Sequence, residues 1–481
     1  MNKIQQILKN TAWLFLAQLV GYLLAFFYTI YSAQYLGAEG FGILSFALAF
    51  VAIFGVLADL GVSTLAVREV ARKKSISRKY LSNLLVLKII LSLLTLLLIA
   101  LAINLMGYPS ATINAVYWAA LFIVFTSLSQ IFYSIFQAYE RMEFQSVGII
   151  LNSAVLFGGV FYAIQMSFDA AGFVSIYALA SGVVLLFNII ICTWKFFPPR
   201  LEIDLKFFQS VIKEAWPFAA SGIFVTIYFW IDSVLISLIQ GNEAVGYYNV
   251  AYRLLMVFLV IPTMVNIAVF PVMSQYYVSS RDSLKLAYEK YLRYMLILGV
   301  PLGVGVTLLA QDFILLFFGP AFSDSVIALQ ILVWASVLIF ISSSVARLLE
   351  SSNKQLIITK ITALSALSNI VLNLALIPFY SYVGASIATV LTEFMGMTLG
   401  FMVITRMGYV PSHQELTTVL KIFLAGGGMA LFMIFFPLDN IWLLSLGGLM
   451  VYGGGLYALR AYDEVDIHIL KRVMGKPTEL D

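Results

Sequence analysis

The sequence predicts an all-α polytopic membrane protein with about fourteen transmembrane helices. Three observations carry this. The 481-residue chain is 62% hydrophobic and 11% charged, with a mean hydropathy of +0.98. A soluble chain of that composition would have too little polar surface to meet water. Apolar stretches long enough to cross a ~30 Å hydrocarbon layer recur from end to end. Basic residues alternate from one connection to the next.

The spans lie at about 12–36, 41–66, 81–106, 114–138, 147–166, 172–194, 213–239, 244–276, 292–310, 326–348, 356–377, 383–404, 421–437 and 441–460. The first is too long for a cleavable signal and reads as a retained helix. The thirteenth is the shortest and contains Gly426-Gly427-Gly428. The connections are short, so no soluble domain fits between spans. The ten-residue alternation of a membrane barrel is absent, and Cys192, the single cysteine, excludes an internal disulfide framework.

Cytoplasmic loops collect Lys and Arg. The second connection carries Arg68, Arg72, Lys73, Lys74, Arg78 and Lys79, the sixth Lys195, Arg200, Lys206 and Lys213, and the eighth Arg281, Lys285, Lys290 and Arg293. The odd connections carry no basic residue and instead hold Glu39, Asp169, Glu243, Asp312, Asp324 and Asp439. Both termini are therefore expected in the cytoplasm, with the protein in the cell membrane. The net charge of +4 reflects this topology and suggests no nucleic-acid partner.

The chain also repeats. GAEGFGILSFA at 37–47 matches GNEAVGYYNVA at 241–251, Glu140 corresponds to Glu350, and DAAG at 169–172 corresponds to YVGA at 382–385. In order and with a slowly growing offset, these matches suggest two six-helix halves, 1–205 and 206–410, with two extra helices and a tail in 411–481. An even helix count keeps both halves in the same membrane orientation, a transporter pattern.

Ionisable residues at membrane depth mark partners or cavities. Of the 28 basic residues, Lys88 and Arg253 lie well inside predicted spans. Arg253 falls ~18 Å, and Asp232 ~13 Å, from the Gly241 turn along neighbouring helices. They form either an ion pair that locks the hairpin or a site in which Arg253 faces an anionic headgroup while Asp232 holds it or exchanges a coupling proton. Glu393 is either a hydrogen-bonded neutral acid or a coupling site for H⁺ or Na⁺. Asp59 reads as an interfacial acid, a helix–helix lock or a coupling acid. Lys88 either extends its amine toward the cytoplasm or faces a cavity. Tyr28, Tyr133, Tyr228 and Trp230 offer stacking faces for sugars, although packing accounts for most of the 26 tyrosines.

Enzyme readings find little support. The two histidines, His413 and His468, cannot build a paired-imidazole metal site. Gly475-Lys476 lacks the upstream glycine and the hydroxyl of a nucleotide loop. No cofactor is expected beyond a coupling ion.

YLGAEGFGILSFALAF followed by ADLGVSTLAVRE, then YFWIDSVLISLIQGNEAVGYYNVAYRLL with Pro262 and Pro271, together with AYERMEF, LLESSNKQ and YVGASIATVLTE, resemble the polysaccharide-transporter branch of the multidrug/oligosaccharidyl-lipid/polysaccharide flippase superfamily, the O-antigen-flippase type. The resemblance implies two six-helix lobes in a V around a polar cavity, plus two C-terminal helices, working by alternating access. Its cargo would be a polyprenyl-(di)phosphate-linked oligosaccharide moving from the inner to the outer leaflet, with its tail in lipid beside spans one and eight. Membrane lipids are the other partners, and a monomer suffices. Two deep cations are fewer than a lipid II flippase would carry. The first span lacks the acid typical of drug/cation antiporters, which stay the alternative, with a membrane enzyme of glycan assembly behind them. GAEGFG itself reads as a sharp outer turn with a twin in the other half, not a phosphate loop.

Overall fold

The computed structural model describes residues 3–200, 202–436 and 440–462. Asp439, His468 and Gly475-Lys476 lie outside the described residues. The described chain forms fifteen α-helices: α1 Lys3–Asp59, α2 Val62–Arg72, α3 Ser77–Leu105, α4 Ser110–Ala138, α5 Met142–Gln165, α6 Ala170–Lys195, α7 Leu205–Gln240, α8 Asn242–Phe258, α9 Val260–Ser279, α10 Arg281–Leu308, α11 Ala310–Phe317, α12 Ser325–Ser351, α13 Gln355–Arg406, α14 His413–Phe435 and α15 Ile441–Ala458. Lipid offers no partner for backbone N–H and C=O groups, so each span must satisfy its own. Leu97, Leu105, Leu186 and Ile190, each more than 60% exposed, cover the helices with the apolar surface that lipid requires.

Twelve segments among the described residues are long and apolar enough to cross a membrane. Two of them, α1 and α13, have 57 and 52 residues, which as straight rods would exceed twice the hydrocarbon thickness. Both fold back instead. The first half of α1 runs alongside α5, with Gly21 packed on Ser153 and the Tyr31 ring 5.0 Å from Phe161. After Gly37 the chain runs down α4, with Phe46 stacked 4.8 Å from Tyr108, Gly55 against Ile123 and the Ala58 carbonyl accepting from Ser127 Oγ at 2.8 Å. In α13, the backbone breaks at Ser381 (φ 52°, ψ −140°) and Gly396 returns to pack on Ser365. Twelve helical segments thus make fourteen passes, matching the predicted number.

Several spans differ from their predicted limits. The span predicted at 244–276 is divided at Leu259 into α8 and α9. The one predicted at 41–66 stops at Asp59, where Leu60 and Gly61 adopt positive φ before α2 begins. α10 starts at Arg281, well before the predicted 292, because Ser280 caps it through the Ser283 N–H at 3.2 Å and tertiary packing buries the charged Glu289, Lys290 and Arg293 of its third and fourth turns. The glycine-containing thirteenth span is the 23-residue helix α14.

The duplication is written in the backbone. Gly37 (φ 67°, ψ −177°) and Gly241 (φ 91°, ψ 176°) share a conformation open essentially only to glycine. Positive φ recurs at Gly107 and Gly319, at Glu140 and Asn353, and at Ser167 and Ser381, so the backbone counterpart of Glu140 is Asn353 and not the expected Glu350, which lies inside α12. The four pairs are separated by 204, 212, 213 and 214 residues.

Contacts divide the chain into two compact units, one of residues 1–250 with 373–382 and the other of 251–372 with 383–481. These packing units are bounded differently from the sequence halves, because the start of α8 packs with the first half. In the first unit the twin turns meet. A Cβ on Gly42 would fall 1.7 Å from the Asn242 carbonyl oxygen, and one on Gly246 would fall 2.0 Å from that of Ala38. The contact is reciprocal, since Ala38 corresponds to Asn242 and Gly42 to Gly246 in the repeat.

The first unit also has a core at one end, formed by Leu65, Leu84, Phe132, Phe136 and Cys192. The 197–205 connection is fastened there by Lys79 Nζ on Asp204 at 3.0 Å. The second unit packs Met273, Tyr288, Met295, Phe340 and Tyr409 with Ile422, Met429 and Tyr452 of the last two helices. The Tyr452 hydroxyl donates to the Ile297 carbonyl at 3.1 Å, anchoring α15 to α10.

Gly42→Val and Gly246→Val are each expected to lower stability by about 1–3 kcal/mol or more, because a backbone carbonyl occupies the new side chain's space. Gly158→Ala, whose Cβ would meet nothing within 4 Å, should change it by less than about 0.5 kcal/mol. Thermal melting of the purified protein in detergent checks both.

Candidate functional site

Asp232 lies on α7, which joins α8 through Gly241 as a hairpin. It is buried, and two neutral donors reach its two oxygens. The Tyr248 hydroxyl donates to Oδ2 at 2.6 Å, and Asn373 Nδ2 donates to Oδ1 at 2.6 Å. This is the pattern of a carboxylate acting only as an acceptor. Beside it, Asn249 Nδ2 donates to Ser233 Oγ at 2.9 Å. A polar seam therefore runs between α7 and α8 within the first unit, sixteen residues apart in both bonds.

Tyr228, one turn before Asp232 on α7, and Trp230, two residues before it, are half-buried, with the Tyr228 ring edge-on to Phe229 at 5.8 Å. Arg253 is half-buried on α8, and Glu393 is half-buried on α13 beside the buried Thr392. Both belong to the second unit, where no ion pair engages Arg253 among the described residues. Tyr28 packs edge-on against Tyr177 at 6.2 Å, and Tyr133 is buried in the core of the first unit.

The structure brings Asp59 and Lys88 together. Lys88 is fully buried, and its Nζ lies 2.6 Å from Asp59 Oδ1 and donates to the Ser127 carbonyl at 2.6 Å. Its amine is thus held inside the unit on a carboxylate. Asp59 also accepts from Ser63 Oγ at 2.5 Å and from the Gly61 N–H at 3.1 Å. One carboxylate thereby secures the break between α1 and α2 and ties both to α3 and α4. Of the readings open to Asp59, the helix–helix lock matches this geometry.

Lys88 and Arg253 are not the only cations within spans, contrary to the sequence reading. Arg293, assigned there to a connection, lies twelve residues into α10 and is 2% exposed. Its Nε donates to Glu415 Oε2 at 2.9 Å, and its Nη2 contacts the other oxygen of the same carboxylate. Arg347, near the end of α12, pairs with Glu350 at 2.8 Å and lies 5.7 Å over the Phe270 ring. Its Nε is buried without a hydrogen-bond partner. One turn earlier on that face, Ser343 Oγ accepts from the Tyr291 hydroxyl at 3.1 Å. The signal that could have revealed Arg293 was the Ser280 cap, which moves the start of the tenth helix upstream of the apolar run.

Comparison with known proteins adds the following. The sequence model of a family described as polysaccharide biosynthesis protein matches residues 7–277, and that of the MatE family matches 217–375. A probable low-salt glycan biosynthesis flippase, Agl15 of Haloferax volcanii, is 24% identical over 80% of this chain and 80% of its own length. A putative O-antigen transporter of Shigella dysenteriae is 27% identical over 80% of this chain and 96% of its own. Among solved structures, the lipid II flippase MurJ in an inward closed conformation superposes with a TM-score of 0.76 over 96% of this chain and 99% of that one, at 16% identity. An inward-facing multidrug resistance MATE family transporter superposes at 0.65 over 82% of this chain and 96% of that one, at 15% identity. At these identities the structural likeness is one of fold.

Asp59→Asn strands the buried Lys88 charge and is expected to cost about 3–5 kcal/mol. Adding Lys88→Met to it should recover most of that loss, since an apolar replacement leaves no buried charge unpaired. A thermal-melting cycle on the two single variants and the double variant measures the pair.

Proposed function

The chain belongs to the polysaccharide biosynthesis protein family, in the polysaccharide-transporter branch of the multidrug/oligosaccharidyl-lipid/polysaccharide superfamily, and from that premise we propose that it flips a lipid-linked glycan across the membrane. The family match over residues 7–277, more than half of the chain, carries this reading. Relatives named as flippases and O-antigen transporters, matching along four fifths of the chain, support it.

The cargo is a polyprenyl-(di)phosphate-linked oligosaccharide moved from the inner to the outer leaflet by alternating access. Its anionic head needs a cation at depth, and its tail stays in lipid. Arg253 suits the phosphate because, among the described residues, no ion pair consumes its charge. Lys88, Arg293 and Arg347 each already hold a carboxylate. Tyr228 and Trp230 offer aromatic faces for sugar rings. Asp232 and Glu393 are the candidate groups for an H⁺ or Na⁺ that drives the cycle. Drug or cation antiport is the second reading, favoured by the MatE match over 217–375.

Loss of the gene product should leave the lipid-linked glycan on the inner leaflet, read by surface labelling followed by lipid extraction. An unchanged leaflet distribution would sink the proposal. Arg253→Ala should cut transport at least about tenfold, the value of one charge-assisted contact, while the protein still inserts. Asp232→Asn should retain the Tyr248 contact yet abolish dependence on the ion gradient if Asp232 carries the coupling proton.

A further inference from the structure

At the end of the second unit that carries the basic connections, α10, α14 and the end of α15 enclose a cavity of about 150 Å³ lined by Arg293, Gln414, Thr417, Lys421, Arg460 and Tyr462, among others. Nothing in the glycan-transport reading uses it. We propose that this cavity binds the phosphate of an anionic phospholipid headgroup.

The charge balance points to an anion. Arg293 is held at the cavity's inner wall by Glu415 through two guanidinium nitrogens. That pair is neutral overall, and among the described residues no carboxylate forms an ion pair with Lys421 or Arg460 at the mouth. Lys421 Nζ donates to the Arg460 carbonyl at 3.1 Å, and that carbonyl is presented by a residue at positive φ (49°) where α15 ends. This bond fixes the ammonium over the opening while two of its three N–H donors stay unspent. The Arg460 side chain is exposed, so its fork of donors can turn onto a phosphate. Hydroxyls of Thr417 and Tyr462 and the Gln414 amide complete a rim of neutral hydrogen-bonding groups.

The surroundings point to a lipid. Thr417, Leu420, Lys421 and Leu424 share one face of α14 by their helical spacing. Leu420 and Leu424 are 59% and 56% exposed, and Tyr457 on α15 is 74% exposed. Cationic groups at the mouth therefore continue directly into apolar surface, as a headgroup continues into its acyl chains. Basic pockets between transmembrane helices near the membrane surface suit such headgroups.

Native mass spectrometry of the full chain, offered phosphatidylglycerol, phosphatidylcholine or inorganic phosphate, tests the inference. Phosphatidylglycerol should be retained selectively, and Lys421→Gln/Arg460→Gln should weaken that retention about tenfold or more. Thermal melting should change little, because both residues lie outside the buried core. Lys421→Arg, which preserves the charge, should keep the lipid, whatever the double variant does to folding. Displacement of the lipid by millimolar inorganic phosphate would uphold the phosphate chemistry but make a soluble anion the ligand. Equal retention of both lipids, or unchanged retention in the double variant, would overturn the proposal. So would binding that emerges only after Asp463, Glu464 and Asp466 are neutralised, which would give the cavity to the chain's own tail.

Discussion

Two backbone carbonyls, those of Ala38 and Asn242, lie where a side chain on Gly246 or Gly42 would have to be. That mutual approach is the constraint on which the arrangement of the first unit rests. Without apolar driving force between helices in lipid, association depends on close van der Waals contact, and small residues permit it. Here the permission is granted twice by the same motif. The turns at Gly37 and Gly241 deliver both segments in the same conformation, so each presents a carbonyl to the other's glycine. The start of α8 is thereby drawn into the unit built by the first six helices, along with the Asp232 seam.

Much of this was legible in the sequence. Fourteen passes could be counted because each crossing needs a long apolar stretch, and charge alternation fixed their parity. GAEGFG and GNEAVG were readable as twin turns because only glycine adopts their backbone cheaply. That the twins touch each other was not legible, since nothing in a one-dimensional pattern reports which turns meet. Arg293 was missed for a related reason. Hydropathy locates where apolar residues begin, while α10 begins earlier, at a serine cap, and its charged turns are buried by Glu415 and α14. Likewise Asp59 and Lys88 belong to different spans, and only tertiary packing makes them partners.

The charged groups at depth fall into two kinds. Lys88, Arg293 and Arg347 each meet a carboxylate, and the first two are buried almost completely. Buried pairs of this type add little net stability, yet removing one member is costly, so they specify which helices meet. Arg253 is different because no carboxylate among the described residues of its own unit takes up its charge. Asp232 is different again, its two oxygens accepting from the Tyr248 hydroxyl and the Asn373 amide. Function and architecture are thus separable by asking what each charge is already spent on.

The spacing of the positive-φ residues records a history. The offset between halves is 204 at the first pair of turns and 212 at the next, then nearly constant. α3 and α10 begin at Ser77 and Arg281, still 204 apart, so the added residues entered after α10. The insertion coincides with α11, the eight-residue helix Ala310–Phe317, which has no counterpart between Leu105 and Gly107. The two halves therefore differ by a helical piece added at one rim, the end bearing the acidic connections Asp312 and Asp324.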